Sequence, residues 1–259
     1  MIITLSPSKG QTFDHPAPVT TYTLPDHLNR SKKLIVELKK LSMPDLRQLM
    51  NISEKIASLN VNRYREFSLP FTPKNAKQSL FAFKGDVYNR IPVDTYSEED
   101  LTYAQAHLRI LSGLYGTLRP LDLIQPYRLE MKTRLKTAAG ANLYQFWGER
   151  ITQSLNDAMA ALKEAPLLVN LASNEYFKAV KPKLLKGHLL TLHFREIKNG
   201  KSRVIAIFAK RARGMMADFL LKNRVRDPEQ IKQFNAAGYR FSKNDSDEKN
   251  WRFVRLQPE

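Results

Sequence analysis

The stretch LLTLHFREIKNGKSRVIAIFA, residues 189–209, holds the clearest structural signal in the chain. Asn199-Gly200 is a type I′ turn dipeptide, because both central positions of that turn need positive φ, which Asn and Gly adopt cheaply. Leu189 to Ile197 and Lys201 to Ala209 are therefore expected to pair as an antiparallel hairpin. Val204-Ile205-Ala206-Ile207-Phe208 is apolar on both faces and is expected to be a central, covered strand. A helix from about Ala212 to Asn223 should follow it.

Outward from this hairpin, Ile2 to Leu5 reads as a short buried strand, ended by Ser6-Pro7-Ser8-Lys9-Gly10 because Pro interrupts a ladder. A helix is expected from about Pro25 to Leu41, with Leu28, Ile35, Leu38 and Leu41 on one stripe. Ser53 and Thr72-Pro73 should each open another. Ser97-Glu98-Glu99-Asp100 is a capping-box variant, and its helix should bury Leu101, Ala104, Leu108 and Leu111 before stopping at Gly113. Leu143 to Leu162 reads as one long helix, Leu167 to Leu171 as a buried strand, Asp227-Pro228 as a helix start and Trp251 to Leu256 as a final strand. No repeat, low-complexity block or linker divides the chain. The expected fold class is mixed α/β (α+β). It is a single compact domain over residues 1–259 with a central mixed sheet, surrounding helices and a helix-hairpin-helix-like element.

A chain of 259 residues, 42% hydrophobic and 26% charged, can bury a large core. It has no cysteine, which excludes disulfides, thiolate zinc sites and thiol-based peroxidase chemistry. The five histidines are scattered without metal-ligand spacing, so neither a metal nor a cofactor is expected. The start lacks a signal-peptide h-region and no apolar run could span a bilayer. A cytoplasmic protein without a membrane partner, and a monomer, is the expectation.

Charge points to a partner. Residues 178–226 hold fourteen lysines and arginines against Glu196 and Asp218, contributing +12 of the formal net charge of +17. Such a concentration of one sign suits a polyanion, and the phosphate backbone of a nucleic acid is the expected partner. Lys210-Arg211-Ala212-Arg213-Gly214 falls at the expected strand-to-helix junction, where three cations would oppose the helix dipole unless an anion sat there. Asn170-Leu171-Ala172-Ser173-Asn174-Glu175-Tyr176-Phe177-Lys178 follows a buried strand, the usual ligand position in α/β folds, and leads to Lys181 and Lys183. Ser173 as an N-cap and Glu175 as a dipole partner explain those two equally well. Leu111-Ser112-Gly113-Leu114-Tyr115-Gly116 has the outline of a helix-hairpin-helix unit, whose glycines would let the backbone approach a phosphate flanked by Arg109 and Arg119. A C-cap glycine and an ordinary turn explain it almost as well.

The candidate DNA contacts are accordingly Lys9, Lys84, Arg109, Gly113, Leu114, Tyr115, Gly116, Arg119, Arg128, Lys178, Lys181, Lys183, Lys210, Arg211 and Arg213. An alternative is an enzyme acting on damaged DNA or a phosphorylated small molecule. Its candidate catalytic residues are Lys9, Lys84, Asp86, Ser173, Glu175, Tyr176 and Lys210, a lysine serving as amine nucleophile and a carboxylate moving protons.

Several segments together resemble one family. They are Ser6-Pro7-x-Lys9, Phe83-Lys84-Gly85-Asp86-Val87-Tyr88, Leu111 to Gly116, Leu118-Arg119-Pro120-Leu121-Asp122 and Pro126-Tyr127-Arg128-Leu129-Glu130-Met131. Leu143-Tyr144-Gln145-Phe146-Trp147-Gly148, Asn170-Leu171-Ala172-Ser173-x-Glu175-Tyr176 and Lys210-x-Ala212-Arg213-Gly214 complete the set. End to end, the chain resembles the YaaA family of bacterial peroxide-stress-resistance proteins. It departs from the pattern at Ser8, where a small residue such as Ala is expected, and at Gly10, where Thr is common. The resemblance implies a family-specific single-domain fold, a positively charged cleft and a helix-hairpin-helix element. It also implies DNA binding that limits damage when hydrogen peroxide meets intracellular iron.

Overall fold

In the computed structural model, which describes residues 1–257, an eight-stranded mixed sheet forms the centre. Its strands are β1 (Ile2–Leu5), β2 (Leu108–Ser112), β3 (Gly116–Leu118), β4 (Leu167–Asn170), β5 (His188–Lys198), β6 (Lys201–Arg203), β7 (Arg240–Ser242) and β8 (Asn250–Leu256). The spatial order is β7-β8-β5-β4-β1-β2-β3, with β6 paired to β5. All of β1 and β4 is buried, as expected of apolar strands covered on both faces. β1 runs parallel to both neighbours, Ile3 standing opposite Leu108 and Val169. β4–β5 and β5–β8 are also parallel, whereas β2–β3, β5–β6 and β7–β8 are antiparallel.

Helices surround the sheet: α1 (Leu28–Lys39), α2 (Met43–Met50), α3 (Glu54–Glu66), α4 (Glu98–His107), α5 (Leu143–Trp147), α6 (Arg150–Ala161), α7 (Asn174–Phe177) and α8 (Ala206–Lys222). Local signals start several of them. Ser97 Oγ accepts from the Asp100 amide at 3.2 Å while Asp100 accepts from the Ser97 amide at 3.0 Å, a reciprocal capping box. Ser53 accepts from the Ile56 amide at 3.4 Å and opens α3. Among the described residues no helix is long and apolar enough to cross a membrane.

Connectivity positions the site. The chain leaves β1 to reach β2 on one side and leaves β4 to reach β5 on the other. The segments after these adjacent strands therefore diverge, and a crevice opens at their carboxyl ends. Thr4 and Asn170 tie the two strands together next to it: Thr4 Oγ1 donates to Asn170 Oδ1 at 3.2 Å, and the Leu171 amide donates to the Thr4 carbonyl at 3.0 Å.

Five sequence expectations are corrected. Val204–Phe208 is not a central strand: β6 ends at Arg203, α8 begins at Ala206, and Val204 is 60% exposed. The run continues into Ala209, Ala212, Met216 and Leu220, which are buried at helical spacing, and a short apolar run alone does not separate the two periods. The helix opened at Ser97 stops at His107, and Leu108–Ser112 becomes a strand buried on both faces. Gly113 thus lies in the turn of the β2–β3 hairpin, so residues 111–116 form no helix-hairpin-helix; a helical hairpin occurs instead where Asn51-Ile52-Ser53 joins α2 to α3. The long helix over 143–162 is broken at Gly148, whose φ is +55°. Thr72-Pro73 opens only one turn, its Thr72 carbonyl accepting from the Asn75 and Ala76 amides.

Candidate functional site

The crevice has a volume of about 240 Å³. It is lined by Ser6, Pro7, Ser8 and Lys9 after β1, by Leu171 and Ser173 after β4, by the Gly85-Asp86-Val87 turn, and by Lys210 and Arg213 of α8. Short polar bonds hold these loops together. The Ser173 amide donates to Ser6 Oγ at 2.8 Å, and Ser6 Oγ donates to Ser173 Oγ at 3.2 Å. Tyr88 donates to the Ser6 carbonyl at 2.8 Å. Burial keeps the Tyr88 phenol well above its ordinary pKa, so it remains a donor. Ser8 donates to the Lys84 carbonyl and accepts from the Gly10 amide. Glycine serves close approach at Gly214, where a Cβ would overlap the Val87 carbonyl. α8 can therefore press its cationic side against the Gly85–Val87 turn.

Two charge clusters differ in how far they are neutralised. Beside the crevice, Glu130 accepts Lys9 at 2.8 Å and Arg128 at 3.0 Å, with Lys132 at 3.3 Å. Burial opposes the charge on Glu130, but the Lys9 hydrogen bond and the surrounding cations prevail and hold its pKa below the ordinary value. Lys9, Arg128, Glu130 and Tyr176 share an adjoining notch. On α8 the balance is different. Lys210 and Arg213 have no carboxylate partner among the described residues, although their neighbours Arg211, Lys222, Arg224 and Arg226 pair with Asp86, Asp100, Glu99 and Glu164. Arg213 Nε is buried without any hydrogen-bond partner. Burial lowers the Arg213 pKa, yet a guanidinium stays charged at neutral pH.

The chain matches, over residues 1–245, the family model described as peroxide stress protein YaaA. This chain belongs to that family. It is 53% identical over 255 residues to a UPF0246 protein of Acaryochloris marina, spanning 98% of this chain and 100% of the relative. A UPF0246 protein of Ralstonia nicotianae is 50% identical over 255 residues, spanning 98% and 99% respectively.

In this YaaA-family chain the crevice brings together Lys9, Asp86, Ser173, Lys210 and Arg213, which are far apart in sequence. Lys84 contributes its carbonyl, while its side chain lies outside the lining. Glu175 turns away, accepting the Lys132 amide at 3.3 Å. Tyr176 reaches the notch, where burial raises its pKa well above the ordinary value. Ser173 has N-cap backbone angles but makes no capping bond, so the hydroxyl stays beside the crevice. Arg211 faces Asp86 at 3.6 Å.

Other candidates are structural. Leu114 and Tyr115 are fully buried, and Gly113 and Gly116 are buried in the turn. A Cβ at Gly113 would overlap the Leu129 carbonyl, and the Trp147 ring packs on Gly116. Arg109 donates to the carbonyls of Gln105, Ala106 and Leu108 at the end of α4; burial pulls its pKa down to about 10. Arg119 is held by Asp122 and Asp26 at 3.0 and 3.2 Å. Lys178 lies over the Tyr144 ring, and Lys181 and Lys183 sit on the turn around Pro182–Leu184, outside the crevice. The helix-start argument for Lys210–Arg213 also fails, because Lys210 is the fifth residue of α8. Glu130, Ser6 and Ser8 were missed as site residues: nothing local in the sequence marks a carboxylate at 130 as the partner of Lys9.

Proposed function

We propose that this protein binds the phosphate backbone of DNA with low sequence specificity and thereby limits iron-dependent oxidative damage during peroxide stress. The observation that carries this reading is the pair of cations left unneutralised at the crevice, Lys210 and Arg213. Arg213 is half-buried without a counter-ion among the described residues, and desolvating a cation costs energy, while Lys210 stands exposed three residues before it. A strand lying across the crevice mouth would supply that counter-ion. The α2–α3 helical hairpin supports a second backbone contact. Asn51 there adopts a left-handed φ of +49°, and exposed Arg47 and Lys55 flank the turn.

Affinity for duplex DNA should depend steeply on salt. Contacts to about six to ten phosphates would weaken binding by roughly 10³ to 10⁵ between 50 and 200 mM salt. Lys210→Glu combined with Arg213→Gln should weaken binding far more than Lys32→Glu combined with Lys33→Glu on α1, with circular dichroism reporting folding. Equal losses would reduce the reading to net charge, and a shallow salt slope would remove it.

The contact between Lys9 Nζ and Glu130, 2.8 Å, favours a second reading, an enzyme acting on damaged DNA or a phosphorylated small molecule. An amine beside a carboxylate can add to an aldehyde carbon, lose water and form an imine while the carboxylate takes up a proton. Borohydride would trap that imine on abasic DNA. Absence of an adduct, or an adduct unchanged in Lys9→Ala, would dismiss it.

A further inference from the structure

We propose that the crevice is a sugar-phosphate site, accepting one phosphorylated furanose unit either at a baseless position in a DNA strand or free in solution. This rests on the phosphate-binding reading above and names the ligand that reading leaves open. Size sets the first limit. Small-molecule pockets commonly measure about 300–1,000 Å³, so a crevice of about 240 Å³ admits a sugar with its phosphate and leaves a duplex outside.

Unsatisfied groups set the chemistry. Among the described residues, Arg213 Nε is buried without a partner, Lys210 has no carboxylate, and Ser173 withholds its hydroxyl from the start of α7. Ser6 supplies the hydrogen of the Ser6–Ser173 bond, which leaves the Ser173 hydrogen available. Two cations and a hydroxyl donor match the oxygens of a phosphate. Asp86 lines the same crevice and is held only loosely, 3.6 Å from Arg211 Nε. Its carboxylate can accept from a sugar hydroxyl.

The walls decide between a sugar and a base. Sites for unpaired bases rely on aromatic faces on which the base stacks. No lining residue of the crevice is aromatic; the apolar surface comes from Pro7, Val87 and Leu171. Aliphatic walls suit a furanose ring and offer a base no stacking. A baseless unit is also among the cheapest to swing out of a duplex, because it has little stacking or pairing to lose.

Fluorescence anisotropy on three duplexes tests this: one intact, one with a single unpaired thymine, and one with a chemically inert tetrahydrofuran unit in place of a nucleoside. The tetrahydrofuran duplex should bind about tenfold tighter than the other two, a difference of about 1.4 kcal/mol. Ribose 5-phosphate should compete for that increment, and ribose should not. Lys210→Ala and Ser173→Ala, which alter exposed or half-buried side chains, should bring all three duplexes to one affinity. The inference is overturned if wild type binds the three equally without a separable ribose 5-phosphate site. It is overturned too if the unpaired thymine matches the tetrahydrofuran, or if the increment survives in both variants. Saturable binding of ribose 5-phosphate, sensitive to Lys210→Ala but without preference for the baseless duplex, would assign the site to a free sugar phosphate. Failure to bind any DNA while that binding persists would sink the DNA reading and leave this site standing.

Discussion

The β2–β3 hairpin and the crevice beside β1 and β4 draw on the same residue types and use them oppositely. Around the hairpin, Ser112, Tyr115, Tyr127 and Trp147 satisfy one another or the backbone. Ser112 lies 2.7 Å from the Tyr127 hydroxyl, and Trp147 Nε1 donates to the Gly113 carbonyl at 3.0 Å. Arg109 and Arg119 close on carbonyls and carboxylates inside the molecule. At the crevice, Lys210, Arg213 and Ser173 keep capacity that no group among the described residues fills. Similar motifs can therefore mean packing or binding, and the deciding quantity is whether the polar groups find partners within the fold.

The contrast breaks most visibly at Trp147. This ring is fully buried, so Trp147→Ala should cost about 3–5 kcal/mol, read as a lower urea midpoint. Gly113→Ala comes next, at about 1–3 kcal/mol, because the new methyl meets the Leu129 backbone in a closely packed turn. A neutral outcome for either would show that the hairpin is not held by packing.

Glu130 sharpens the comparison through pH. Its pKa is lower folded than unfolded, so its contribution to stability is complete above the unfolded value, about 4.3, and disappears as pH falls through the folded value. Glu130→Gln should cost about 1.5–3 kcal/mol near neutrality, the range for hydrogen bonds to charged groups. Urea melts across the acid range should show the gap from wild type closing; a gap independent of pH would contradict the ion cluster. The smallest effect is expected at the crevice. Lys210→Ala should change stability by no more than about 0.5 kcal/mol, because the exposed ammonium makes no ion pair among the described residues. A larger loss would mean that Lys210 is structural, like the arginines of the hairpin.

Much of the fold was legible because its signals are local. Ser97 and Ser53 cap as their spacing indicates, β1 and β4 are buried as their composition requires, and Asn199 and Gly200 both adopt positive φ. Val204–Phe208 misled because five apolar residues satisfy either period, and the buried row at Ala209, Ala212 and Met216 extends the helix back to Ala206. Gly113 misled for another reason. The preceding helix yields to a strand when Leu108 and Ile110 meet β1 and β3, a choice made by pairing with distant chain. The basic segment was real as composition but did not act as one surface: Lys222, Arg224 and Arg226 meet acids, while Lys210 and Arg213 line the crevice.

Sequence alone determined the caps, the turn, the two short buried strands and the positive charge, since each depends on neighbouring residues or on simple composition. Tertiary structure decided which polar groups were left without partners. Lys9 meets Glu130 and Ser6 meets Ser173 only after the sheet is assembled. Whether a cation is neutralised depends on distances through space, which chain spacing does not specify.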